Sequence, residues 1–221
     1  HPKPGESLDF GSSKIEFYGP ITESESDRNN GSVVMKIIYG DTSFLFTGDA
    51  EREEEQEILS AGYDLSATVL KVGHHGSKNS TTYPFLREIM PKYAIISVGD
   101  NSYGHPTEDV LSRLRDADVK VYRTDMQGDI VVESDGKTVT ITTAKNKNVQ
   151  TNPTEEEKTL SAQNIENCEA FEYIGNANTK KFHYPNCSAV SQMKEKNKVY
   201  LNCTRGEALQ DGFNPCGKCN P

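Results

Sequence analysis

Strand-length apolar runs alternate with helix-length polar segments from residue 32 to residue 123, and this alternation restricts the fold more than any other feature. "SVVMKIIYG" (32–40) and "SFLFTG" (43–48) are β-rich runs joined by Gly-Asp, a hairpin signal. "KIEFYGP" (14–20), after a Gly-Ser turn, has strand composition as well. "AEREEEQEILSAG" (50–62) reads as a helix that opens on acidic residues and closes at Gly62. Its run "EREEEQE" (51–57) reads as a solvated face, since carboxylates favour a helix N-terminus. A buried strand follows over Ala67–Val72, then a helix near Thr82–Met90 that Ser80 or Thr81 could cap. "YAIISVG" (93–99) is another buried strand. "HPTEDVLSRLRDAD" (105–118) puts Pro106 near a helix start and Val110, Leu111 and Leu114 on one face. "VKVYRT" and a hairpin over 128–143, turned at Asp135-Gly136, complete a layered α/β domain.

The chemistry divides along the chain. All five cysteines lie at or after Cys168, so the α/β part has none. Residues 1–168 carry 17 Lys and Arg against 28 Asp and Glu, a net charge of −11, whereas 169–221 carry 7 against 5, a net of +2. An acidic body argues against nucleic-acid binding through a broad basic face. Residues 145–168 are polar, lack aromatics and have linker composition. The expected layout is a domain over 1–144, a linker over 145–168 and a small domain over 169–221. No run approaches the ~18 apolar residues of a membrane span. With no signal-peptide pattern at the start, the opening "HPKPGESLDF" suggests a fragment of a longer protein.

Three strand ends in series carry chemistry-bearing side chains. "SFLFTGDAE" delivers Asp49, "LKVGHHGS" delivers His74 and His75, and "NSYGHP" (101–106) delivers His105. Asp49 alone could be a helix cap, and the histidine pair alone a polar strand end. Together, carboxylate and imidazole on one sheet edge suit a hard divalent cation. The combined pattern "LFTGDAE…LKVGHHGS…AIISVG…NSYGHP" strongly resembles the C-terminal half of metallo-β-lactamase-fold hydrolases. The nearest subgroup is the extracellular nuclease-like domain of ComEC-type competence proteins.

That resemblance, over roughly residues 1–143, implies an αββα sandwich with two divalent metals, zinc or manganese, acting on DNA or another phosphodiester. Asp49 would bridge the metals. One histidine of the pair would be a ligand, with His75 favoured and His74 its substrate-facing neighbour, or the reverse. His105 would contact the scissile phosphate, and "NNGSVV" (29–34) would bring Asn and Ser to the same cleft. The family's His-x-His-x-Asp-His motif is absent from this chain. Most ligands would therefore lie upstream, the chain alone would be inactive, and apolar strand surface near Val33, Met35 and Ile37 would be left open. An extracellular or cell-surface location is the matching expectation. A hydrolase of another ester, or a non-catalytic nucleic-acid- or wall-binding module, is the alternative.

The tail has its own constellation, His183-x3-Cys187…Cys216-x2-Cys219. A CxxC knuckle aims two thiolates at one ion and an upstream His/Cys pair can close a tetrahedron; a disulfide framework is the competing reading. "YIGN", "KFHYPNC" and "NCTRGEALQDGFNPCGKC" resemble the small zinc-binding domain of Ada-type repair proteins, over residues 172–221. The resemblance implies a structural Cys3His zinc site, His183 standing where the repair protein has a reactive cysteine. Cys203 and Cys168 would be spare thiols. Tyr173, Phe182, Tyr184 and Phe213 read as core around the metal, which would offset the small apolar content of so short a domain.

Overall fold

The computed structural model describes residues 2–22, 27–158 and 172–221, and the chain divides into two compact units, His1–Thr154 and Glu155–Pro221. In the first, seven strands lie side by side in sequence order: β1 (Ser7–Phe10), β2 (Ser13–Gly19), β3 (Val34–Tyr39), β4 (Thr42–Phe46), β5 (Val69–Lys71), β6 (Tyr93–Ile96) and β7 (Lys120–Arg123). The first four form an antiparallel meander, and β4 to β7 run parallel. Parallel neighbours need a crossover. Here the crossovers are the helices α1 (Arg52–Ala61), α2 (Tyr83–Ile89) and α3 (Glu108–Asp116). Among the described residues no helix is long and apolar enough to cross a membrane.

Register sorts the two faces of this sheet. Leu45, Leu70, Ala94 and Val121 stand abreast and are buried with Ile58 of α1, Phe85, Leu86 and Ile89 of α2, and Val110, Leu111 and Leu114 of α3. Each fully buried Leu or Ile contributes about 1.5–3 kcal/mol. The alternate row runs through Phe17, Met35, Phe46 and Ile95 and is half-buried, while Phe10 of β1 is 68% exposed. The described residues thus form one helix-covered sheet, a mixed α/β architecture with a second, largely apolar face. Val33 is exposed just before β3, and Met35 and Ile37 lie on the half-buried face.

The acidic run departs from its expected solvation. Glu54 and Glu55 are each 1% exposed. Glu55 accepts hydrogen bonds from the Thr82 amide (2.9 Å), the Thr82 hydroxyl (2.7 Å) and the Thr81 amide. Burial pushes its carboxyl up to about 7 against these donors. Glu54 faces the Ser32 and Ile21 amides but closes no hydrogen bond of normal geometry, and burial, with Glu57 nearby, pushes it up to about 8. The α2 cap also differs from expectation. The residue preceding α2 is Thr82, while Ser80 donates to the Ala50 carbonyl (2.7 Å). At α3 the capping position is Thr107, with Pro106 just before it, near the helix start as expected.

Past β7 come a helical turn (Thr124–Gln127) and a hairpin of β8 (Ile130–Ser134) and β9 (Val139–Thr143). Residues 145–153, expected as the start of a linker, are tied to the first unit instead. The Thr151 hydroxyl donates to Val121 O (2.5 Å), Asn152 Nδ2 donates to Leu111 O (3.0 Å), and Arg115 Nη1 donates to Asn152 Oδ1 (2.7 Å). Polar composition suits a tether, but these side chains satisfy backbone carbonyls of β7 and α3.

The second unit holds a four-stranded sheet in the order β12 (Lys198–Asn202), β10 (Glu172–Asn176), β11 (Lys181–His183), β13 (Asn214–Pro215). Tyr173, Phe182, Ala208 and Phe213 are buried together, with the Tyr173 and Phe182 rings edge to face at 5.1 Å. The helix Arg205–Gln210 begins with a capping box between Thr204 and Glu207. Cys168 lies outside the described residues.

Candidate metal centres

The cleft of the first unit is built where β4 and β5 end. After β4, Thr47 donates to the Lys71 carbonyl (3.1 Å), which ties the two strand ends together. Gly48 turns the chain at φ +54°, and a Cβ there would sit 2.9 Å from the Ser32 side chain. That Ser32 hydroxyl accepts the Asp49 amide (3.0 Å), so Ser32 of "NNGSVV" fixes the backbone that carries Asp49. Asp49 does not cap α1. The amides of Glu51 and Glu54 donate to Asn30 Oδ1 at 3.0 and 3.3 Å, so the cap comes from another segment.

After β5 the segment Gly73–Gly76 forms a tight 3-10 turn in which His74 (φ +45°) and His75 (φ +55°) are both left-handed. Such non-glycine conformations cost about 1–3 kcal/mol each and cluster at functional sites. The turn is held at both ends. His74 N donates to Gly48 O (3.1 Å), and Gly76 O accepts the Thr107 amide and hydroxyl (2.9 and 3.1 Å). A Cβ on Gly76 would lie 2.5 Å from Pro106, so only glycine lets the two loops close.

The two imidazoles then point apart. His75 Nδ1 is 2.6 Å from the Ser97 carbonyl, which can only accept, so that nitrogen carries the proton and Nε2 keeps its lone pair. Nε2 lies 3.9 Å from Asp49 Oδ1, close to the ~3.4 Å between two ligands of one tetrahedral ion. Asp49 and His75 side chains are 46% and 52% exposed. His74 instead brings Nδ1 to 2.8 Å from Glu51 Oε1, at an angle that is not that of a hydrogen bond. Its ring meets His105 edge-on at 5.5 Å. Burial holds the His105 imidazole below its usual range, and His74 and His75 lower it further.

The structure therefore brings Asp49, His74, His75 and His105 into one neighbourhood. Asp49 and His75 suit a divalent cation in kind but fall short in number, because among the described residues no third His, Cys, Asp or Glu joins them. No catalytic step through such ions follows from these residues alone. Glu51, Asn101 and the Ser97 carbonyl escaped the sequence reading. Only Asn101 had a local signal, the Asn-Ser-Tyr-Gly turn composition.

The second unit brings its ligand set together completely. One ligand atom from each of His183, Cys187, Cys216 and Cys219 lies within 4.8 Å of the others, and the first three residues are buried. His183 ends β11, and Cys216 directly follows β13, its amide donating to Phe182 O (3.0 Å). Lys218 N donates to Cys216 Sγ (3.4 Å) in the Cys-x-x-Cys turn. Burial pushes Cys216 up, but the Lys218 and Cys219 amides and neighbouring thiols bring it below the usual thiol range. Cys219 is pushed up to about 11 by burial and by Cys187 and Cys216. His183 Nδ1 is buried without a hydrogen-bond partner, which fits an atom meant for an ion. All four described cysteines outside the linker, Cys187, Cys203, Cys216 and Cys219, are free thiols. Three thiols and an imidazole in this packing suit zinc in number, kind and size. Cys203 packs instead beside the aromatic cluster.

Residues 1–100 match the sequence profile of the Metallo-beta-lactamase superfamily. Over 129 residues the chain is 40% identical to "ComE operon protein 3" of Bacillus subtilis, covering 58% of this chain and 17% of that protein. It is 38% identical over 116 residues to "Competence protein ComA" of Neisseria gonorrhoeae, 52% of this chain and 17% of that one. To "Recombination protein 2" of Haemophilus influenzae it is 39% identical over 105 residues, 47% and 13% respectively. The chain thus spans less than a fifth of the length of these curated relatives.

Proposed function

We propose that the first unit supplies Asp49 and His75 to a two-metal hydrolase centre acting on DNA or another phosphodiester, with the remaining ligands coming from residues outside this chain. The observation that carries the reading is the pairing at 3.9 Å of the Asp49 carboxylate with a His75 Nε2 whose lone pair is kept free by the Ser97 carbonyl. Divalent ions, when bound, would supply activated water and neutralise phosphate charge. Asp49 would bridge the ions as an acceptor-only group. His105, neutral near pH 7, would donate an N–H to a phosphoryl oxygen without carrying charge into the site. His74, held beside Glu51, would face the substrate.

The second unit, in this reading, is a structural Cys3His zinc module rather than a methyl-accepting one, since His183 stands where the repair proteins have a reactive cysteine and lies with Cys187, Cys216 and Cys219. The similarity to competence proteins supports a DNA-related role. A non-catalytic binding module is the second reading, favoured by the absence of a third ligand at Asp49 and His75 among the described residues. The deciding experiment is metal-dependent cleavage of DNA by the full gene product and by its Asp49→Ala variant. Equal activity in the two would eliminate the hydrolase reading.

A further inference from the structure

Tyr103 stands beside the cleft and is 81% exposed. Its backbone is anything but loose. Asn101 Oδ1 accepts the amides of Tyr103 (3.1 Å) and His105 (3.0 Å), while Asn101 Nδ2 donates to the carbonyls of Gly99 and His105, both at 2.9 Å. One side chain closes the loop with four hydrogen bonds and leaves the phenol ring in water. The Tyr103 and His105 rings are 5.9 Å apart and tilted by 30°. With His75, Val98, Gly99 and Asn101 they line a cavity of about 210 Å³. That is below the ~300 Å³ at which drug-sized sites begin, and suits a single ring system.

Charge decides which part of a ligand lies here. On the other side of Asn101 and His105, a cavity of about 400 Å³ carries Asp100 and Asp125, which disfavour a phosphate. An acidic unit also gives little electrostatic steering to a polyanion. Affinity for a nucleic acid must then come from contacts with its rings, and an exposed, rigidly mounted tyrosine next to the imidazoles supplies one.

Resting on the phosphodiester reading above, we propose that Tyr103 is a stacking platform for an unpaired nucleobase next to the phosphate contacted by His105. It selects single-stranded nucleic acid, because paired bases inside a duplex cannot offer a face to it.

The test is binding of a labelled oligothymidylate, and of an abasic oligomer of equal length, to the purified chain with no chelator present. Tyr103→Ala should weaken oligothymidylate binding roughly thirtyfold, the middle of the range for base–aromatic stacking, while Tyr103→Phe stays within about twofold. Binding of the abasic oligomer should not respond to either change. A 5-iodouracil oligomer should crosslink to Tyr103. Unchanged affinity in Tyr103→Ala, or crosslinks confined to residues 172–221, would overturn the platform and leave the phosphodiester reading standing. Failure of the chain to bind either oligomer would overturn the platform and remove nucleic acid from that reading too. Unfolding midpoints of the variants should match the parent's, since the ring buries little surface.

Discussion

The two ligand groups differ in what holds them. Asp49 and His75 are about half exposed and would stand where they do with or without an ion, because Ser32, Gly48 and the Ser97 carbonyl position them. His183, Cys187 and Cys216 are buried, and Cys219 joins them from a turn around Cys216. Without an ion, that cluster keeps an imidazole nitrogen out of water with no hydrogen-bond partner, beside two buried thiols. The first arrangement is open, as substrate access requires, and its geometry belongs to the sheet. The second is closed, as a structural metal site would be.

The largest effect should therefore come from attacking the closed site. Cys216→Ser, or strong chelation, should unfold the second unit and release about one zinc per chain, because structural zinc contributes on the order of 10 kcal/mol to such folds. Elemental analysis with far-ultraviolet circular dichroism checks both. Helix and strand signals of the first unit should survive. Disulfides among Cys187, Cys216 and Cys219 in the native protein would break the contrast, since the second unit would then be stapled rather than metal-built.

The open site predicts loss of activity without loss of fold. In the full gene product, Asp49→Ala should lower hydrolysis by well over ~100-fold, more than the 10–100-fold typical when only a group supporting a ligand is removed. The thermal midpoint should hardly move. His105→Ala should keep the bound metals and slow turnover by about 100-fold or more, as expected of a group that donates a proton or hydrogen bond. Loss of metal in the His105 variant would make it a ligand and redraw the site. The chain alone, with zinc or manganese added, should cleave no phosphodiester.

The sequence exposed the parts of this arrangement that are local. Apolar runs ending in Asp49, His74-His75 and His105 betray strand ends, and the Cys-x-x-Cys spacing betrays a knuckle. What stayed hidden depends on distant segments. Nothing near Arg52 announces that Asn30 caps its helix, and the acidity of residues 51–57 concealed their geometry. Glu54 and Glu55 share the inward stripe with Ile58 at the helical spacing of three and four. The buried position came from periodicity, and the charge argument pointed the other way.

That stripe yields the smallest prediction, and it sharpens the contrast by tying the stability of the first unit to protons. Burial raises the Glu54 carboxyl to about 8 from an ordinary value of 4.5, so the folded protein retains a proton that the unfolded chain gives up. Its stabilising contribution is complete below about pH 4.5 and is lost as pH rises toward 8, the folded state binding more protons throughout that window. Glu54→Gln has no proton to lose. It should leave stability near pH 4.5 almost unchanged and raise the unfolding midpoint of the first unit at pH 8 by roughly 3 °C, the shift that about 1 kcal/mol makes in a domain of this size. Glu55 follows the same direction up to about pH 7, but its carboxylate also accepts from Thr81 and Thr82. Glu55→Gln replaces one acceptor oxygen by an NH2 facing those donors, and should destabilise at every pH. Midpoints for both variants from pH 4.5 to 8.5 separate the two carboxyls. An Glu54→Gln protein whose midpoint falls with pH as steeply as the parent's would mean that Glu54 ionises in the fold as freely as in water.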